Sequence, residues 1–236
     1  MTWTPYCGPG PSPADLWGRW NLDPLLLAGL TLGLALLWLR GDPARRPFAL
    51  AAVAVLLVGF VSPLCALSSA LFSARTVHHL LLVAFAAPLL VWSAPRFKVG
   101  GLAAVTGVQA GVFWTWHAPS AYGAALSHDL LYWLMQASLL ASAAWFWAAI
   151  RAARPPAAIA ALLVAMVAMG LLGALVTFAG QPLYAPHLAT TAAWGLTPLE
   201  DQQAAGLIMW APAAALYMAA ALVVLGRMIA PRARPA

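Results

Sequence analysis

The sequence predicts an all-α, polytopic integral membrane protein with seven transmembrane helices, its N-terminus outside and its C-terminus in the cytoplasm. Three observations predict it. Of 236 residues, 64% are hydrophobic and 8% charged, against about 45–50% and about 25% in ordinary soluble domains. Mean hydropathy is +0.85, and several apolar runs approach the ~20 residues a helix needs to cross a bilayer. Lys and Arg, finally, fall almost entirely on one side of the alternating spans. Seven spans of about 20 residues use about 140 positions, which leaves no room for a large extramembrane domain. The expected organisation is a periplasmic N-terminal segment over 1–22, a seven-helix domain over 23–230 and a cytoplasmic tail over 231–236.

With Pro, Gly and charge as punctuation, the spans run from Pro24 to Leu39, Phe48 to Leu67, Val77 to Trp92, Leu102 to Trp116, Asp129 to Ile150, Ala157 to Ala179 and Gln202 to Ile229. Asp23-Pro24 opens the first as an N-cap followed by Pro at the first helical position. Gly29 and Gly33 give it a GxxxG face, and Gly170 with Gly173 puts small residues on the sixth, both suited to helix packing. Pro63, Pro88 and Pro212 are expected to kink their spans. Thr197-Pro198-Leu199-Glu200 reads as a capping box that opens the last helix with Thr197 as N-cap. The first twenty residues carry Asp15, Arg19 and several prolines without an apolar core, so no cleavable signal peptide is expected.

Charge sets the orientation. Arg40, Arg45, Arg46, Arg96, Lys98, Arg151, Arg154, Arg227, Arg232 and Arg234 share one side and only Arg19 and Arg75 the other, which places the first side in the cytoplasm. The acids split the opposite way: Asp15, Asp23, Asp129, Glu200 and Asp201 outside, Asp42 inside. Trp38, Trp92, Trp145 and Trp147 fit an inner interfacial belt, and Trp17, Trp20, Trp114, Trp116 and Trp194 an outer one. The formal charge of +6 forms no basic stripe, so nucleic acid is not an expected partner.

All five histidines, His78, His79, His117, His128 and His187, fall at the outer ends of spans or in outer loops. Cys65 ends the second span on that side and Cys7 lies in the outer N-terminal segment. Met135 is two helical turns below His128, and Met209 lies about 12 Å down the last helix from Asp201. Imidazole, thioether and thiol together suit Cu(I), whereas zinc would want a tight tetrahedral set that this spacing does not supply. A transmembrane haem held between facing helix histidines is the rival cofactor. Each residue also has a plain alternative. An interfacial His can cap or hydrogen-bond, and the two Met can fill core. Asp201 can favour the positive end of its helix, Cys7 and Cys65 can pair as a disulfide, and Arg75 can pair with Asp201 or Asp129 or bind lipid phosphate. No nucleophile elbow, P-loop, HExxH or dinucleotide fingerprint occurs, and a non-catalytic role is expected.

Four stretches carry a family resemblance: SARTVHHLLLVAFAAPLL from Ser73, WTWHAPSAYGAALSH from Trp114, GALVTFAGQPLY from Gly173 and WGLTPLEDQQAAGLIMW from Trp194. In these the chain resembles the CtaG family of cytochrome c oxidase assembly proteins, and Asp201-Gln202-Gln203 with the following Gly206 and Met209-Trp210 is the most specific match. The resemblance implies a multi-pass protein of the bacterial inner membrane that matures haem-copper oxidases. It further implies delivery of Cu(I) to the catalytic copper centre of the largest subunit, with that subunit and a periplasmic copper donor as partners. His79, His117, His128, Asp201 and Met209 fall on family motif positions. The chain departs where many members carry His-Met-x-x-His: here Arg75 stands at the first position and His78 adjoins His79. Where many members have a second His shortly after the one matching His128, Leu131 and Tyr132 stand. The expected ligand set is therefore His78, His79, His117, His128, Asp201, Met209 and Cys65. The alternatives are a metal-free membrane chaperone for the oxidase subunit or a haem-binding electron carrier.

Overall fold

The computed structural model describes residues 5–96 and 99–230. It is 79% helical, with no strand among the described residues. The tail at 231–236 and Lys98 lie outside the described residues, as does the side chain of Arg40. Ten α-helices organise the described chain: α1 Pro24–Arg40, α2 Arg46–Phe60, α3 Leu64–Ala70, α4 Phe72–Leu80, α5 Ala87–Ser93, α6 Leu102–His117, α7 Pro119–Ala125, α8 Asp129–Ala152, α9 Pro155–Phe178 and α10 Pro198–Ile229.

Among the described residues five helical segments are long and apolar enough to cross a membrane: Pro43–Phe60, Phe72–Ser93, Asp129–Ala152, Pro155–Phe178 and Pro198–Ile229. The helices α1 and α6, with 17 and 16 residues, reach only about 25 Å at 1.5 Å per residue, short of the ~30 Å hydrocarbon core. All seven apolar segments of the sequence are thus helical, but two are shorter than a full span.

Local chemistry explains most boundaries. Asp23 caps α1 by accepting from Leu25 N and Leu26 N at 2.7 and 3.2 Å, with Pro24 at the first position. The capping box of α10 forms in both directions, Glu200 N donating to Thr197 Oγ1 at 3.2 Å and Thr197 N to Glu200 Oε2 at 2.7 Å. The second span departs from expectation. It stops at Phe60 and restarts as α3 after Pro63, because Pro has no N–H to continue the ladder and disfavours helix at Ser62. The third begins at Phe72, earlier than the expected Val77, after an extended Leu71 (φ −123°, ψ 132°).

The kink at Pro88 takes the form of a π-turn over Leu81–Ala86 just ahead of it. The indole of Trp147 donates to the Val83 carbonyl at 2.8 Å, which answers a carbonyl left without its usual helical partner. Trp147 is buried at 7% exposure, so it belongs to the core and not to an interfacial belt. Pro212 lies inside α10 without interrupting it.

The helices α9 and α10 approach most closely at Gly173 and Gly206. A Cβ on Gly173 would stand 2.7 Å from the Gly206 carbonyl oxygen and 2.8 Å from Trp210 N. Gly29 and Gly33 behave differently, since a Cβ on either meets nothing within 4 Å. The expected packing role of that GxxxG is not realised among the described residues.

The N-terminal segment folds over the histidine-bearing end of the bundle. Tyr6 Oη donates to Asp23 at 2.7 Å, which holds the Asp23 carboxyl below its ordinary range. Trp194 Nε1 donates to the Pro11 carbonyl at 3.0 Å, Asn21 N donates to the Val61 carbonyl at 2.9 Å, and Cys7 is joined to Cys65 by a disulfide.

Candidate functional site

The helix α4 owes its start to a residue far away in sequence. The Asp201 carboxylate accepts from Phe72 N at 2.6 Å, from Ser73 N at 3.2 Å and from the Ser73 hydroxyl. It thereby caps N–H groups that have no partner within α4 and complements that helix's positive end. From this start Arg75, His78 and His79 follow at helical spacings of three and four, so all three share a face that the bundle closes over. Their exposures are 0%.

His117 closes α6, where Ala118 turns extended ahead of Pro119. Its Nδ1 lies 2.7 Å from the Phe113 carbonyl. A carbonyl only accepts, so Nδ1 carries the proton and Nε2 keeps its lone pair. Among the described residues Nε2 is buried with no hydrogen-bond partner, and so are both ring nitrogens of His79 and of His78. The His79 and His117 rings stand edge to face with centroids 5.3 Å apart, and His78 follows at 6.1 Å from His79. His78 in turn packs edge-on against Phe60 at 4.8 Å and occupies the space that a Cβ on Gly59 would crowd at 3.2 Å.

Two further polar groups line this interior. The Arg75 guanidinium lies 5.4 Å from the centre of the Tyr132 ring, with the Tyr122 and Tyr132 hydroxyls beside it, and among the described residues its three side-chain nitrogens make no hydrogen bond within 3.5 Å. The Gln136 side-chain amide, on α8, is buried near the Tyr132 hydroxyl and likewise makes no hydrogen bond within 3.5 Å among the described residues. A buried polar group left unsatisfied costs about 1–3 kcal/mol, so such a concentration is abnormal for a structure that has no use for it. Sequence reasoning passed over Gln136. The signal was there, because a polar amide inside an apolar span is costly unless it finds a partner. Arg75 makes no ion pair with Asp201 or Asp129 among the described residues, and complete burial removes it from lipid phosphate.

Other predicted ligands lie apart or are committed elsewhere. Cys65 is taken by its disulfide with Cys7 and offers no thiolate; its Cα–Cα separation from Cys7 is 5.4 Å. Asp201 spends both carboxylate oxygens on the start of α4. His128 is exposed at the head of α8 and makes no side-chain cap bond, while Met135 on the same helix is fully buried. Met209 is buried where α9 and α10 meet, beside Gly173. Among the described residues no three His, Cys, Asp or Glu side chains are grouped to hold a metal ion. What the fold does assemble from the expected set is His78, His79 and His117.

His187 is a contrasting case. It is buried in the loop before α10, yet Nε2 meets Tyr122 Oη at 2.7 Å and Nδ1 meets the Ala70 carbonyl at 3.2 Å. Both nitrogens are satisfied, and burial lowers its pKa to about 4. That is a structural histidine, coupling α7, α3 and the loop.

The family model described as cytochrome c oxidase caa3 assembly factor (Caa3_CtaG) matches residues 101–230, more than half of the chain. The match spans His117, His128, Asp201 and Met209, and begins after α4 and α5. No curated protein and no solved structure matches.

Proposed function

This chain belongs to the caa3-type cytochrome c oxidase assembly factor family, and from that premise we propose that it handles Cu(I) within a membrane during assembly of a haem-copper oxidase. In this reading His79 and His117, backed by His78, take copper from a periplasmic donor and yield it to the catalytic copper centre of the largest oxidase subunit. The protein sits in the bacterial inner membrane with seven spans, α1 and α6 included, and with its histidine-bearing end outside. The role is non-catalytic.

The observation that carries the reading is the buried pair His79 and His117, with centroids 5.3 Å apart and free ring nitrogens on both. Neutral imidazoles suit copper and add no charge to the site. A site with so few ligands also fits an ion that must be handed on, since a fuller set would hold it. The test is metal analysis with an optical spectrum on detergent-purified protein made with copper and haem supplied, beside H79A and H117A. Copper near one equivalent in the wild type and a loss of tenfold or more in either variant is expected. Equal copper in all three proteins overturns the ligand assignment, and a Soret band turns the reading to haem.

A second reading, a metal-free chaperone for the oxidase subunit, draws on Asp201, Cys65 and His187. Asp201 ties α10 to α4, the Cys65 disulfide ties α3 to the N-terminal segment, and His187 ties the loop before α10 to α7 and α3, so all three serve the architecture. It expects oxidase assembly to survive H79A and H117A.

A further inference from the structure

At the end of the bundle opposite the histidines, a cleft of about 870 Å³ opens where α5, α8, α9 and α10 part. Its size falls within the ~300–1,000 Å³ of small-molecule sites. The walls are apolar, with Phe85, Leu89, Leu162, Val224 and Met228 among them. The Leu81–Ala86 π-turn and Pro88 bend this part of the third span, and Pro88 itself lines the cleft.

The cleft is also positively charged. Arg96, Arg151 and Arg227, each from a different segment, line it. Arg45 lies close by, since it and Arg151 donate to the same Ala94 carbonyl, at 2.6 and 3.1 Å. Pro155, the first residue of α9, lines the cleft as well, and no side chain caps that helix. The positive end of that helix lies by the same region, although Pro155 and Pro156 have no N–H to donate. Among the described residues no acidic side chain lines the cleft. Asp42, the acid expected at this end, pairs with Arg45 at 3.6 Å.

We propose that this cleft binds one acidic phospholipid, its phosphate held by Arg96 and Arg227 and its acyl chain lying against the apolar walls. Cations at the rim, apolar surface below and a membrane setting make an amphiphile with an anionic head the complementary occupant. Arg151 is partly committed to the Val91 and Ala94 carbonyls and serves as a fixed background charge. Arg96 and Arg227 are exposed, so both can be exchanged without opening the core. The proposal is independent of copper handling at the opposite end.

The test compares the full-length protein with R96Q/R227Q by native mass spectrometry after exchange into micelles containing either phosphatidylglycerol or phosphatidylcholine. The wild type is expected to retain one phosphatidylglycerol in preference to phosphatidylcholine. The variant should lose that preference by about fivefold per arginine, roughly twenty- to thirtyfold for both, with an unchanged melting temperature in lipid-free detergent. Equal retention of the two lipids by the wild type overturns the proposal and leaves the cleft to an apolar partner helix. Undiminished retention by the variant overturns the assignment of the arginines. Displacement of the lipid by excess inorganic phosphate overturns the commitment to a lipid and makes the site one for free anions.

Discussion

At Asp201 two roles compete for one carboxylate, and a substitution separates them. As the cap of α4 it satisfies backbone N–H groups of Phe72 and Ser73, so Asp201→Ala should cost about 2–3 kcal/mol, or roughly 5–10 °C in melting temperature for a chain of this size. Asp201→Asn, which keeps an acceptor, should cost less. If Asp201→Ala instead leaves the melting temperature alone and removes copper, the carboxylate is a ligand. His187 supplies a second prediction, now with pH. Its folded pKa of about 4 lies below the ordinary 6.5, so between those values the unfolded chain binds more protons than the folded one. The neutral imidazole's contribution is complete above pH 6.5 and is lost as pH falls towards 4, by about 3 kcal/mol in all. Melting temperatures over that window should fall, and His187→Gln should flatten the fall. The residue-level chemistry was only half legible in the sequence. The histidines announced themselves by type and side, but that Asp201 caps a helix starting 129 residues earlier is a fact of tertiary contact. That one histidine of the five is fully bonded while three are not follows equally from packing.

Elements were legible where their signals are local. The capping box at Thr197 and the Asp23-Pro24 start each act within a turn or two of chain and mark an observed boundary, whereas Pro63, expected to kink its span, breaks it. The start of α4 was missed because its cap comes from α10. The two small-residue motifs show the same division. Gly170/Gly173 and Gly29/Gly33 look alike in one dimension, yet Gly173 meets the backbone of α10 while the other pair faces open space. Gly173→Ala should therefore force α9 and α10 apart and cost about 1–3 kcal/mol. Gly29→Ala should leave stability unchanged or raise it by about 0.5–1 kcal/mol, since Ala is the better helix residue where nothing is crowded. Thermal melts of the two variants in one detergent decide this. A loss at Gly29 equal to that at Gly173 would mean that α1 packs against a second chain under those conditions.

The whole molecule is polarised from end to end. One end carries His78, His79 and His117, the disulfide and the acids that cap α1 and α10; the other carries Arg45, Arg96, Arg151 and Arg227 around an apolar cleft. Such a distribution has a physical consequence in a membrane, because short basic loops resist translocation. The basic end should stay in the cytoplasm, and the disulfide should lie in the oxidising space outside, where such bonds persist. These two arguments use different residues and agree on the same orientation. They also require an odd number of crossings between the outer N-terminal segment and Ala230, so that α1 and α6, despite lengths of 17 and 16 residues, both cross or both stay on one side. Short helices can span by local thinning of the bilayer at a modest cost per ångström. The expected outcome is that a reporter active only outside the cytoplasm works when fused ahead of Cys7 and in the Ala179–Thr197 loop. It should fail after Ala153 and after Ala230. Activity after Ala230 would reverse the orientation of α10, and with it the side on which the histidines could receive copper.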